Sequence, residues 1–178
     1  IGVMRFDIDD IGALSGNGRL AAVVLHEMLH VIGIGTVWRA KDMVINSGSQ
    51  DPRFLGPLAA AQCTAAGGFA ACADGRVPVE NSGGSGTAEV HWRESIFDRE
   101  LMTGFVESNA DMPLSAITVA SLEDLGYNIN LLSSDPFLIP AAGSVQPRLS
   151  PLLLPPWESL TQPLFEITMA GWVRAIPI

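Results

Sequence analysis

Basic residues are scarce in this chain: ten Lys and Arg stand against nineteen Asp and Glu, which gives a net charge of −9. Nucleic acids and anionic membrane surfaces are bound by clustered basic side chains, so the charge balance argues against both kinds of partner. Charged residues of either sign make up only 16% of the sequence, below the roughly 25% usual in soluble domains. We therefore expect this chain to expose apolar surface suited to burial against something outside it.

Long apolar runs are also absent. No uncharged apolar stretch reaches the roughly 18 residues that cross a bilayer, so the sequence predicts no transmembrane segment. With 178 residues and 48% apolar content, the chain is the size of one domain and has enough apolar side chains for a packed core. This composition excludes an intrinsically disordered chain.

Histidine is scarce as well, and all three histidines fall into one pattern. The first two belong to His26-Glu27-Met28-Leu29-His30, and His91 follows after a long gap. Residues four apart share one face of a helix, so both imidazoles of the first motif reach one metal ion, with Glu27 beside it. Catalytic zinc usually takes three protein ligands and keeps a fourth position for water, and His91 is the one imidazole left to complete the set.

The charges of such a site predict a reaction. Zinc lowers the pKa of a bound water toward about 7 and acts as a Lewis acid on a carbonyl oxygen. A glutamate in the position of Glu27 accepts the proton of that water and returns it to the leaving amine as a general acid. The motif therefore predicts peptide hydrolysis.

Further blocks of sequence follow the first motif in a recognisable order. Val31-Ile32-Gly33 continues it, Glu100-Leu101-Met102-Thr103-Gly104 comes after His91, and an apolar segment runs from Leu114 to Tyr127. Over about residues 1 to 135 these blocks resemble the leishmanolysin family of metzincin zinc metallopeptidases. In the uninterrupted metzincin motif the third histidine would stand at Thr36. Leishmanolysin-like members carry an insertion there, as this chain does.

The resemblance implies an α+β, metzincin-like zincin with an active-site helix, a long insertion, a Met-turn and a C-terminal helix. It also implies a zinc endopeptidase of protein or peptide substrates that is secreted or displayed at the cell surface. Met102 would be the methionine of the Met-turn, an apolar base beneath the histidines and not a ligand. Gly33 would end the helix with a positive φ and turn the chain beneath the metal.

Other interpretations of the same residues remain. An acidic side chain such as Glu123 would be the third ligand in a gluzincin, although Gly33 and the Met-turn speak against it. A zinc-holding binding or adhesion domain with little or no turnover needs the same ligands without a working cleft. A zinc hydrolase that does not act on peptides is a third interpretation.

Hydrophobic periodicity and turn residues predict the main elements. A helix is expected from about Arg19 to Ile32, a short alanine-rich helix from Leu58 to Ala66, and a helix within Leu114 to Tyr127. The segment from Val3 to Ile8 alternates like a strand. The remaining expectations are a turn over 51–57, a loop over 81–87 that delivers His91, and a strand over 165–169.

We divide the chain into a catalytic domain over residues 1–135 and a proline-rich extension over 136–178. The extension is expected to pack on the domain in extended form or to act as a linker. Since only one strand is predicted before the active-site helix, most of an N-terminal subdomain is expected to be missing from this sequence. That missing segment is expected to be needed for full activity, because it would carry the edge strand that holds the substrate.

Two smaller features concern bonds and ions. Cys63 and Cys72 are the only cysteines, and an even number in a secreted type of protease predicts a local disulfide. Asp7, Asp9 and Asp10 carry the oxygen ligands that calcium prefers, although an acidic segment of this kind is usually just solvated.

Overall fold

The computed structural model describes Met4, residues 6–107 and residues 111–141, together with the backbone of three short strands further on. Its helices are α1 (Ile8–Gly16), α2 (Leu20–Val31), α3 (Pro57–Ala65), α4 (Glu94–Phe97) and α5 (Ala116–Asp124), followed by a 3-10 turn (Leu131–Ser133). Its strands are β1 (Val44–Ile45), β2 (Arg53–Phe54), β3 (Val77–Pro78), β4 (Phe105–Val106), β5 (Leu152–Leu153), β6 (Leu164–Ile167) and β7 (Val173–Ile176). This mixture of helices and small sheets is of the predicted α+β class.

The strands form three small antiparallel sheets. In the first, β2 lies between β1 and β3, with Phe54 opposite Val44 on one side and Val77 on the other. The predicted turn over 51–57 is therefore wrong at its centre, where β2 is the middle strand. In the other two sheets β4 pairs with β5 and β6 pairs with β7. The pairing of β5 with β4 agrees with the expected packing of the extension on the domain.

The three predicted helices are confirmed as α2, α3 and α5. Within the predicted strand over 165–169, the part up to residue 167 is confirmed by β6, and residues 168 and 169 lie outside the described residues. The segment over 81–87 has neither helix nor strand, as predicted. The division of the chain at residue 135 remains a prediction.

The strand predicted from Val3 to Ile8 is wrong where the structure describes it. Met4, Phe6 and Asp7 are not in a strand, and Ile8 is the first residue of α1. The Asp7 side chain accepts a hydrogen bond from the Asp9 backbone N–H at 3.0 Å and so caps this helix. The alternation of apolar and polar residues indicated a strand, but the N-cap at Asp7 favours a helix from the next residue. Val3 and Arg5 lie outside the described residues.

The start of α1 also explains why the segment that was considered for calcium is acidic. Asp9 and Asp10 occupy the first turn of α1, where carboxylates interact favourably with the positive end of the helix dipole. Within the described part of the chain, these carboxylates do not form a group whose oxygens converge on one point. Calcium has no support from their arrangement.

The core is centred on an aromatic cluster of Trp38, Phe54, Trp92 and Phe97, all fully buried. The Trp38 and Trp92 ring centroids lie 4.6 Å apart, and Trp38 and Phe54 lie 4.8 Å apart. Nearby, Cys63 and Cys72 are joined in a disulfide with their Cα atoms 6.2 Å apart, so α3 is tied to the loop that follows it. Because Trp92 follows His91 in the chain, the cluster anchors the segment that carries this histidine.

One face of α2 is buried and another is exposed. Val23, His26, Leu29 and His30 face the interior, whereas Leu25, Met28 and Val31 keep about two fifths of their surface or more in contact with solvent. The expected exposure of apolar surface is thus confirmed on the outer side of this helix. Among the described residues, no helix is long and apolar enough to cross a membrane.

Candidate metal centre

Two parts of the chain bring the three histidines together. Helix α2 presents His26 and His30 one turn apart on its buried face, and the segment after residue 87 brings His91 against them. The Nε2 atoms of His26 and His30 lie 2.9 Å apart, and His91 Nε2 lies 3.2 Å from the first and 3.1 Å from the second. Nitrogen ligands of a tetrahedral zinc ion lie about 3.3 Å apart, since each Zn–N bond is about 2.0–2.1 Å. The donor set therefore fits one zinc ion.

The opposite ring nitrogen of each histidine faces a backbone carbonyl oxygen. His26 Nδ1 lies 2.7 Å from Leu101 O, His30 Nδ1 lies 2.8 Å from Ile34 O, and His91 Nδ1 lies 3.0 Å from Thr87 O. A carbonyl oxygen only accepts, so each Nδ1 carries the hydrogen and donates it. In a neutral ring this leaves all three Nε2 lone pairs pointing at one another, which is the arrangement that a metal ion requires.

Burial favours the neutral form of the His26 and His91 rings. Desolvation lowers the pKa of His26 well below its ordinary value, and the neighbouring His30 and His91 rings lower it further. Desolvation lowers the pKa of His91 to about 4, against the opposing effects of the Thr87 carbonyl and the Glu80 carboxylate. A neutral imidazole is the form that binds metal, so the environment favours ligation over protonation.

The turn after α2 is built from glycines. Gly33 has a φ of 118° and follows the helix end, as predicted. Gly35, which the sequence analysis did not single out, has a φ of 72° and packs against the backbone before His91. A Cβ atom on Gly35 would lie 1.9 Å from Val90 O. The close approach of these two segments requires glycine at position 35.

A buried carboxylate shapes the segment that carries His91. Glu80 accepts hydrogen bonds from Ser82 Oγ at 2.7 Å and from the Asn81, Ser82 and Glu94 backbone N–H groups. Its own backbone N–H donates to His91 O at 2.9 Å. Glu80 was not predicted to belong to the site, because nothing in the local sequence shows that residues 80 and 91 are neighbours.

Met102 is fully buried in the turn that also contacts His26. Its backbone O accepts from Trp92 N at 2.9 Å, and its backbone N–H donates to Glu100 Oε2 at 2.6 Å. Glu100 is fully buried and was also missed by the sequence analysis. Burial raises the pKa of the Glu100 carboxyl, and hydrogen bonds from Ser115, Thr118 and Met102 oppose that effect.

The remaining candidates occupy different surroundings. Glu27 is partly buried and directly follows His26 in α2. Glu123, the rival third ligand, is exposed near the end of α5 and does not belong to the group of converging ligand atoms. The Tyr127 hydroxyl donates to Ile32 O at 2.7 Å, which ties the exit of α5 to the end of α2.

Comparison with known protein families shows which family this chain belongs to. The leishmanolysin family model, peptidase M8, matches residues 1–138. The chain belongs to the leishmanolysin family. No curated protein and no solved structure matches it. Membership in the leishmanolysin family implies a zinc metallopeptidase, a hydrolase of protein substrates, and the cluster of three histidines is compatible with its metal site.

Proposed function

We propose that this protein is a zinc-dependent endopeptidase whose metal is held by His26, His30 and His91. The observation that carries this proposal is the convergence of the three Nε2 atoms within 3.2 Å of one another, with every Nδ1 fixed on a backbone carbonyl. Zinc bound there would supply Lewis acidity and a water of lowered pKa. Three neutral imidazoles leave the ion its full positive charge, which suits that chemistry.

Glu27 is proposed as the general base. Glu27 directly follows His26 on α2, and its carboxylate would take a proton from the attacking water. The same carboxyl then gives the proton to the nitrogen of the leaving amine, so no net proton is consumed by the protein. Met102 is proposed as the Met-turn residue, an apolar side chain that shields the histidines without binding the metal.

The family suggests where the enzyme works. We propose secretion or display at the cell surface, and the disulfide between Cys63 and Cys72 supports an oxidising compartment. Protein or peptide chains are the proposed substrates.

The metal set is tested with His91→Ala. We expect the wild-type chain to bind one zinc ion per molecule, and His91→Ala to lose zinc affinity by several orders of magnitude together with cleavage of a fluorogenic peptide. Val90→Ala changes the neighbouring side chain without removing a donor and is the matched control. Zinc content by mass spectrometry and a chelator competition provide the measurement.

Each result bears on a different interpretation. Unchanged zinc affinity in His91→Ala would contradict the proposed ligand set. Stoichiometric zinc in the wild type without peptide cleavage would favour the binding domain over the enzyme. Repeating the assay on a chain extended upstream tests the expectation that further N-terminal residues are needed for full activity.

A further inference from the structure

One peptide group links the metal ligand His26 to a buried carboxylate. The carbonyl of the peptide between Leu101 and Met102 accepts the hydrogen of His26 Nδ1 at 2.7 Å. The N–H of the same peptide group donates to Glu100 Oε2 at 2.6 Å. Two short hydrogen bonds therefore run in series from the imidazole through a peptide to a carboxylate.

The hydroxyl groups around Glu100 are oriented to donate to it. Ser115 Oγ and Thr118 Oγ1 each lie 2.6 Å from Glu100 Oε1, and the Ser115 backbone N–H lies 3.2 Å from the same atom. The Thr118 hydroxyl receives the indole N–H of Trp92 at 2.8 Å, so its own hydrogen is directed to Glu100. Four donors on two oxygens form the pattern of an acceptor-only carboxylate at the N-terminus of α5.

A hydrogen bond at the amide end of a peptide strengthens the carbonyl end as an acceptor, since such chains polarise one another. Metal-bound histidines commonly have a carboxylate on the ring nitrogen opposite the metal, which fixes the tautomer and raises the basicity of the ligand. In this structure the carboxylate stands one peptide further away. The carbonyl that serves His91 differs, because the N–H of its peptide group, that of Ala88, donates to the neutral Gly84 carbonyl.

We propose that Glu100 is a positioning residue that acts on His26 through the Leu101–Met102 peptide group. It holds that peptide in place and strengthens its carbonyl, so that His26 keeps its hydrogen on Nδ1 and its Nε2 lone pair toward the metal. This proposal rests on the proposed zinc function. It gives the Met-turn a second task besides placing Met102, because the same turn sets the state of a ligand.

The test is Glu100→Gln with a readout on His26 itself. The side-chain amide has nearly the same shape, but its NH₂ group must face either the Met102 N–H or the hydroxyls of Ser115 and Thr118. In the metal-free protein, ¹⁵N–¹H NMR of the imidazole reports the tautomer. We expect the Nδ1–H form of His26 to dominate in the wild type and to lose population in Glu100→Gln, with zinc affinity down about 10- to 100-fold by chelator competition.

The matched control is Asp124→Asn. Asp124 also accepts two backbone N–H groups, those of Leu58 and Ala59, and joins α5 to α3. Its replacement should lower the melting temperature while leaving the His26 tautomer and the zinc affinity unchanged. A loss of zinc affinity in both variants would mean that general destabilisation explains the effect, and would overturn the proposal.

A second pair keeps the test open if Glu100→Gln does not fold. Thr118→Ala removes one donor to Glu100 and should lower the population of the His26 Nδ1–H tautomer. Thr118→Ser retains the hydroxyl and should keep the wild-type tautomer population. Wild-type tautomer and zinc affinity in Glu100→Gln, or in Thr118→Ala, would overturn the role of Glu100. If the wild type binds no zinc although the tautomer shifts as expected, the zinc function fails and the positioning of His26 stands.

Discussion

At the scale of single residues, the proposed metal ligands and the proposed general base lie in different surroundings. The imidazoles of His26, His30 and His91 are buried and fixed, whereas Glu27 is only partly buried on the same helix. The motif made His26, Glu27 and His30 predictable as candidates, because metal ligation and proton transfer need particular groups at a fixed spacing. His91 was predicted as the one histidine that remained. Glu100 and Glu80 were not predictable, since glutamates are common and their partners are contributed by distant segments.

The proposed role of Glu27 is tested with Glu27→Gln. The amide keeps the size of the side chain but cannot accept a proton, so peptide hydrolysis should fall by about 10²- to 10⁴-fold while zinc stays bound. Metal content and steady-state cleavage of a peptide are measured on the same preparation. Glu123→Gln is the control: it alters the exposed rival ligand and should change neither quantity. Zinc lost in proportion to activity in Glu27→Gln would instead make Glu27 a ligand or a support of the site.

At the scale of elements, the turn after α2 and the segment before His91 touch through their backbones. The sequence predicted both segments but not their contact, because a glycine that permits a close approach looks like any other turn glycine. Gly33 was found from its place after the motif, while Gly35 could be recognised only once Val90 O was seen against it. The prediction of an N-terminal strand was wrong because the alternation of apolar residues indicated a strand, whereas Asp7 caps a helix there.

Gly35→Ala should therefore displace His91. The new Cβ would meet Val90 O at 1.9 Å, and alanine also resists the φ of 72°. We expect zinc affinity to fall at least about tenfold, because donors that are misplaced by a fraction of an ångström no longer share one ion. Gly75→Ala is the matched control, with a φ of 74° and nothing within 4 Å of its added Cβ. Equal effects of the two variants on zinc affinity would show that backbone strain alone is responsible.

At the scale of the whole molecule, an ion cluster joins the first sheet to the segment after His91. Asp51 Oδ1 accepts from Arg93 Nη1 at 2.7 Å and from Arg53 Nε at 2.9 Å. Arg93 also donates to the Val79 and Pro52 carbonyls. The cluster thus connects β2 and β3 to the chain beyond the third histidine.

The cluster gives the fold a dependence on pH. Burial acts to raise the pKa of Asp51, but the hydrogen bonds from Arg93 and Arg53 outweigh it, so the pKa lies below its ordinary value of 3.8. A lowered carboxyl pKa stabilises the fold above that ordinary value, and the contribution is lost as the pH falls through the folded-state pKa.

Asp51→Asn should lower the melting temperature by about 2–4 °C near neutral pH, for a half-exposed pair worth at most about 1 kcal/mol. The difference from the wild type should shrink as the pH falls below 3.8, and thermal unfolding monitored by circular dichroism follows it. Asp42→Asn is the control, because Asp42 is exposed and its positive φ suits asparagine. A difference that persists unchanged at low pH would mean that the charge of Asp51 is not what stabilises the cluster.

Only part of the whole fold could be predicted from the sequence. The α+β class, the helices α2, α3 and α5, and the grouping of the histidines followed from periodicity and from one motif. The first sheet did not, because strands of two residues such as β1 and β2 are too short to show an alternating pattern. Buried networks such as the one around Glu100 depend on contacts between residues far apart in the chain, which one sequence does not reveal.

The direct succession of His91 and Trp92 has a thermodynamic consequence. A proposed metal ligand and a central residue of the aromatic core are covalent neighbours, so zinc held by the three imidazoles would favour the packed core. Metal binding and folding are then linked equilibria, and each tenfold rise in free zinc above the dissociation constant adds about 1.4 kcal/mol to the free energy of unfolding. The proposed zinc ion would therefore also stabilise the fold, and in a compartment poor in zinc the protein would be less stable as well as less active.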